Sequence, residues 1–152
     1  MEREIYNTAS VEALASIEDI REQIFMLRGV QVMLDRDLAS LYQVQTKVLN
    51  QAVKRNINRF PERYMFQLTV NEMDELVTNC DRLNLLKHSS SPAIVFTEQG
   101  VTQLSAILHS DVAVEISIRI NDAFHAMRHF LVANAGVQNF RAGKWRFSIQ
   151  RR

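Results

Sequence analysis

The chain has 152 residues, 47% of them hydrophobic and 23% charged, an ordinary globular composition long enough to bury a core without disulfides or metals. The single cysteine, Cys80, excludes an internal disulfide and fits a small hydrophobe in a reducing compartment. The net charge of +1 hides a division: acids exceed bases by four over residues 1–24, whereas residues 47–63 carry Lys47, Lys54, Arg55, Arg59 and Arg63 against Glu62 alone, and residues 141–152 carry Arg141, Lys144, Arg146, Arg151 and Arg152 against no acid. Positive charge gathered in two places suits a polyanion, whose neutralised phosphates release counterions, and suits a solvated surface equally well. No apolar run approaches the roughly 20 residues of a membrane span. The start, MEREIYNTASVEALASIEDI, has neither the basic head nor the apolar centre of a secretion signal, so a cytoplasmic protein with no membrane partner is expected.

Ser10 to Gln23 is a predicted helix: Val11, Leu14, Ile17, Ile20 and Ile24 form an apolar stripe, and Ser10 can cap the first amides. IFMLRGVQVML (Ile24–Leu34) reads as a β-hairpin, two short apolar runs about Arg28-Gly29, where glycine is free to take positive φ. Asp35 or Asp37 can cap the next helix, to about Tyr42, and Thr46 a longer one, to about Asn58. Phe60-Pro61 ends it, because proline pushes the residue before it out of the α region. RYMFQLT (Arg63–Thr69) predicts a short strand, Asn71 opens a helix to about Thr78, and the Ser/Pro-bearing stretch Asp81–Ile94 predicts a flexible loop. AIVFT predicts a strand, and Thr97 caps a helix from Glu98 to about Leu108. A long helix follows, from Ser110 or Asp111 to Val132, with Gly136 ending the ordered region. In it Ala113, Ile116, Ile120, Ala123, Met127 and Phe130 step by 3, 4, 3, 4 and 3, a heptad seam. Val114 and Ile118 add a second apolar strip. A helix apolar on two faces needs two partners, so a homodimer is expected, with Ile116, Ile120, Met127 and Phe130 at its interface.

DLASLYQVQTKVLNQAVKRN (Asp37–Asn56) has the pattern of a helix-turn-helix. Ala39 is the small residue a wide helix crossing needs, and Leu38, Tyr42, Val44, Leu49 and Ala52 fall where each segment should face the core, with Val48 and Val53 adding to that side. The turn favours glycine and carries Gln43, a departure that costs about 1 kcal/mol where positive φ is required. The remaining face of the second helix offers Gln45, Thr46, Lys47, Asn50 and Gln51 to base edges and Lys54, Arg55 and Arg59 to phosphates.

Five ordered motifs then carry a resemblance: Leu-Asp-x-Asp-Leu-Ala at 34–39, Leu-Asn-Gln-Ala-Val at 49–53, Arg-Phe-Pro at 59–61, Phe-Gln-Leu-Thr at 66–69 and Phe-Thr-Glu-Gln-Gly-Val at 96–101. Together they resemble the ORF6N domain of the KilA-N superfamily over roughly Ile17 to Leu131. That resemblance implies a DNA-binding module of phage and prophage proteins, often at the front of antirepressors. The family usually has glycine where this chain has Gln43. Members often continue past the last helix into a charged or coiled-coil region; this chain has NFRAGKWRFSIQRR, in which Phe140, Trp145 and Phe147 stand among five basic residues. Such a stretch suits a second nucleic-acid contact or a flexible end, and a flexible end is expected.

Catalysis finds no support. His125 and His129 stand at i and i+4, a zinc-compatible spacing, but Ala126 occupies the metalloprotease glutamate position and no third ligand is evident. Ser89-Ser90-Ser91 lacks the partners of a nucleophile, the glycines are too scattered for a phosphate loop, and Glu98 reads as an acid favoured by a helix dipole. The expectation is therefore an α+β domain, mainly α, over residues 10–133, compact, with a helix-turn-helix, small hairpin strands and a long C-terminal helix, followed by a basic tail at 134–152. No enzyme activity, cofactor or metal is expected. The expected partners are double-stranded DNA, a second copy and, for an antirepressor docking through its long helix without DNA, a repressor protein.

Overall fold

The computed structural model describes residues 14–79, 93–133, 137–141 and 144–147. In chain order these form α1 (Ile17–Arg21), β1 (Phe25–Leu27), β2 (Val30–Leu34), α2 (Asp35–Tyr42), α3 (Thr46–Arg55), a 3-10 turn (Ile57–Arg59), β3 (Met65–Gln67), α4 (Val70–Asn79), β4 (Ile94–Thr97), α5 (Glu98–Leu108), α6 (Asp111–Ala133), β5 (Val137–Arg141) and β6 (Lys144–Phe147). The fold is α+β and mainly α. Four strands pair antiparallel in the order β1-β2-β4-β3. Strand alternation sorts their side chains into two cores. Phe25, Val32, Leu34 and Val95 pack with Leu68, Met73 and Leu76, in and just before α4. Met33 and Phe96 point the other way, into a larger core with Leu38, Leu49, Leu104, Ile116, Ile120 and Phe124. The sheet thus lies between α4 and the remaining helices, a layered solution that buries both its faces.

The expected hairpin forms about Arg28 and Gly29, with φ of 52° and 78°, the two positive values a tight two-residue turn between twisted strands requires. Arg28 is tied down by α4. Its Nε donates to Glu72 Oε2 at 2.9 Å, a terminal nitrogen donates to Oε1 at 3.0 Å, and the guanidinium lies 4.2 Å from the Phe66 ring centroid. The same carboxylate accepts from the Thr69 amide at 2.8 Å, while the Thr69 hydroxyl accepts from the Glu72 amide at 3.1 Å, a reciprocal capping box at the start of α4. The Arg28 hydrogen bonds, aided by those from Thr69, hold the Glu72 carboxyl down to about 2 from an ordinary 4.5. A depressed carboxyl stabilises the fold fully above its unfolded pKa and loses that contribution as pH falls through its folded one. Glu72→Gln is therefore expected to lower the melting temperature at pH 6–7, and the gap to the wild type to close between about pH 4.5 and about pH 2 in a thermal melt series.

Gln43 takes the left-handed conformation, φ 62° and ψ 39°. Its amide donates to Ser40 O at 3.1 Å and the Val44 amide to Ala39 O at 2.9 Å, the two bonds of a Schellman turn closing α2. Since this turn does require positive φ, Gln43→Gly is expected to stabilise the protein by about 0.5–1 kcal/mol, read as a higher urea midpoint at unchanged slope.

Several expectations change. Among the described residues the first helix starts at Ile17 under Ser16, whose hydroxyl accepts from the Asp19 amide at 3.1 Å, and Leu14 and Ala15 precede it in non-helical backbone; Ser10 lies outside the described residues. Their carbonyls accept from the Arg119 guanidinium at 3.2 and 3.1 Å, so α6 fixes the approach to α1. Neither Asp35 nor Asp37 caps α2. Strand β2 runs straight into the helix, the cap position falls on Leu34, and Leu34 is fully buried in the sheet core. Thr46 is likewise the first residue of α3 and Gln45 its cap, with no side-chain bond. Helix α3 ends at Arg55, earlier than expected, where Asn56 Nδ2 donates back to Ala52 O at 2.8 Å. Residues 80–92, which include Cys80 and most of the expected loop, lie outside the described residues.

The heptad seam of α6 faces inward. Ala113, Ile116, Ile120, Ala123 and Met127 are 0–1% exposed in the larger core, and Phe130 packs against it under Arg21. Ile116, Ile120 and Met127, expected at a dimer interface, are thus occupied by the domain's own core. Val114 and Ile118 remain outside, 46% and 51% exposed. Within the stretch expected as a tail, β5 and β6 pair antiparallel, and β5 lies alongside β1.

Candidate nucleic-acid interface

Helices α2 and α3 pack against each other across the Gln43–Gln45 turn and are anchored from below. Tyr42, at the end of α2, meets Ser117 of α6 through their hydroxyls at 2.6 Å, and burial pushes the Tyr42 phenol well above its ordinary pKa, so it stays a neutral partner. Leu49 and Val53 face the core at 0% and 3% exposure. At 3.6 residues per turn, this anchoring leaves an outward arc of about 120° holding Lys54, Lys47, Gln51, Arg55 and Val48 in angular order. All five are exposed. Lys47, Lys54 and Arg55 form no ion pair among the described residues. An uncompensated cationic stripe flanking an amide is competent to meet phosphates and base edges together.

The predicted site residues divide. Gln45, Lys47 and Gln51 are exposed at or near the start of α3, and Lys54 and Arg55 at its end. Thr46 is half-buried. Asn50 is turned inward: its Nδ2 donates to Asp35 Oδ2 at 3.0 Å and its Oδ1 is buried without a hydrogen-bond partner. It therefore packs α3 onto the start of α2 and is not available to a base edge. Arg59 is exposed but sits beyond α3 in the 3-10 turn, where a guanidinium nitrogen donates to Gln103 Oε1 of α5 at 3.2 Å. Val48, expected among the buried residues, is 45% exposed on the outward arc, where its methyls suit a thymine methyl. The signal was present: Val48 lies about 100° from both Leu49 and Lys47 on the helix wheel, and its neighbours on the wheel are Arg55 and Ala52.

A cleft of about 480 Å³ opens on another side, beside the start of α5, where Gln31, Arg63, Tyr64 and Gln99 line it. Glu98 at its rim is ion-paired with Arg128 of α6. The rings of His125 and His129 stand edge to face, 4.6 Å between centroids, on the exposed side of α6. Among the described residues no group of three or more His, Cys, Asp or Glu is placed to hold a metal ion, and no helix is long and apolar enough to cross a membrane.

No curated protein and no solved structure matches the chain. The ORF6N domain matches residues 22–107, more than half of the chain, a narrower span than the resemblance over 17–131 and one that leaves α6 outside. The matched span holds the sheet, the α2–α3 pair and the FTEQGV segment that joins β4 to α5, and on that match the chain belongs to the ORF6N domain family.

Proposed function

We propose that this ORF6N protein is a DNA-binding regulator of the KilA-N, phage-antirepressor type, acting in the cytoplasm, with α2–α3 as a helix-turn-helix whose second helix reads duplex DNA. The reading assigns it no catalysis, cofactor or metal. Gln45, Lys47, Gln51 and Val48 meet base edges, Lys54 and Arg55 meet phosphates, and Arg59 extends the phosphate track. The observation that supports this most is the outward arc of α3, exposed, cationic and free of acidic partners among the described residues. Lys54→Ala with Arg55→Ala is expected to weaken binding to every duplex by about tenfold at low salt and to lower the slope of log affinity against log salt by about two. Anisotropy titrations at two salt concentrations read both quantities, and an unchanged slope would remove α3 as the contact.

A second reading is favoured by Val114 and Ile118, about half exposed on α6. It makes the protein an antirepressor that docks a repressor on this helix without DNA, and the same strip is the part of α6 left for a second copy. Absence of binding to random duplexes even at low salt would favour it over the first.

A further inference from the structure

We propose that the β5–β6 hairpin is a second duplex-DNA contact, a basic ribbon that meets the phosphate backbone away from α3; the proposal rests on the DNA-binding reading above. The strand register carries it. Asn139 stands opposite Arg146 and Arg141 opposite Lys144, whereas Phe140 stands opposite Trp145 and Val137 opposite Phe147. Successive strand positions alternate between faces, so positions 139, 141, 144 and 146 share one face of the ribbon and 140, 145 and 147 the other. The register shift between Val137 and Asn139 adds the extra residue that brings 137 to the second face. One face therefore collects three cationic positions and an asparagine with no acid, the other only apolar ones.

Arg141 is paired with Lys144 at the last register pair of the ribbon. A two-stranded ribbon also has the width a DNA groove admits. The hairpin is held to the domain, since β5 lies alongside β1, the edge strand of the four-stranded sheet.

Helix α6 runs from the anchor of α2 toward the hairpin. Ser117 is bonded to Tyr42, where α2 ends, and Ala133 is the last residue of α6 before the hairpin. At 1.5 Å per residue these points lie about 24 Å apart along the helix. Both contacts cannot be made on a duplex that α3 alone fills.

The test is anisotropy with the full chain against random-sequence duplexes of about 8 and about 18 base pairs, at two salt concentrations. The wild type is expected to bind the longer duplex about tenfold more tightly per site, and the triple variant Arg141→Gln, Lys144→Gln, Arg146→Gln to lose that gain, with a salt slope lower by up to about three. A wild type that gains nothing with length overturns the hairpin contact, whatever the variants do. So does a triple variant with unchanged affinity and slope; if Lys54→Ala with Arg55→Ala still weakens binding, α3 stands alone as the contact. If the triple variant weakens binding while the α3 variant does not, the hairpin contact survives and the α3 reading fails. A thermal melt of each variant separates lost contact from lost fold.

Discussion

Gly100→Ala is expected to destabilise the domain by about 2 kcal/mol, against the usual rule that glycine inside a helix is improved by alanine to the extent of about 1 kcal/mol. The sign turns on one close approach. A Cβ at this position would lie 2.2 Å from the Tyr64 carbonyl oxygen, 3.1 Å from its carbon and 3.3 Å from Phe96 Cβ. The carbonyl cannot simply retreat, because it accepts from the Thr97 amide at 3.0 Å, the bond that fastens the approach to β3 onto the start of α5. The Thr97 hydroxyl sits 3.1 Å from Arg63 O and caps the Gly100 amide at 3.4 Å. Moving any of these moves Phe96, which is fully buried and meets Phe60 edge to face at 5.9 Å. Thermal denaturation is expected to show a melting temperature lower by roughly 4–8 °C for a loss of this size in a chain of this length. A melting temperature that rises, as it would at an uncrowded helical glycine, would refute the close packing of α5 on Tyr64. The FTEQG segment is a packing device: Phe96 fills the core, Thr97 caps, Glu98 pairs with Arg128 and Gly100 admits a carbonyl.

What the sequence makes legible depends on how far the deciding physics reaches. The Arg28-Gly29 turn and the Thr97 cap are set within a few residues, and both are placed correctly from local chemistry, whereas α3 ends at Arg55, ahead of the break expected at Phe60-Pro61. Helix α2 is legible as an element, but its start is not. Asp35 is a good cap by type, yet Leu34 must fill the sheet core, so the strand continues into the cap position and the carboxylate moves one residue into the helix. The seam of α6 is legible as an apolar stripe, but a stripe does not name its partner; Ser117, inside that stripe and bonded to Tyr42, belongs to an intramolecular face. Similarly, a face assigned by residue type admits Asn50 to the DNA side and places Val48 in the core. Helical angle measured from Leu49 and Val53 exchanges the two.

The basic charge that first marks residues 47–63 is also not one surface. Lys47, Lys54 and Arg55 share the outward arc of α3, Arg59 reaches back to Gln103 of α5, and Arg63 lies over the Tyr64 ring at 5.2 Å, beside the cleft. Charge counted along the chain therefore overstates the contact α3 can make by itself, and losing Lys54 and Arg55 together is expected to lower the salt slope by about two, and not five.

The exchange of Asn50 for Val48 leads to the other large expected effect. Asp35→Ala is expected to cost about 2 kcal/mol, because it leaves the half-buried Asn50 amide without a protein partner at either end. Asn50 Oδ1 is already unpaired, and Asp35 Oδ2 is the acceptor that holds Nδ2 at 3.0 Å; its other oxygen takes the Arg36 amide at 2.7 Å. Asn50→Ala removes the donor and the orphaned oxygen together and is expected to cost less, about 1 kcal/mol, so that the double variant is more stable than the two single losses added together. Urea titrations of the four proteins give this coupling directly. The functional consequence follows from the same geometry. With its amide committed to Asp35, Asn50 has no group to offer a base, so selection of bound duplexes from a random pool should return the same sequence preference for Asn50→Ala as for the wild type, while Gln51→Ala, on the centre of the outward arc, should relax the preference at one position by about 1–3 kcal/mol. A preference that relaxes with Asn50→Ala and holds with Gln51→Ala would place α3 on DNA by its other side and reverse the assignment of its faces.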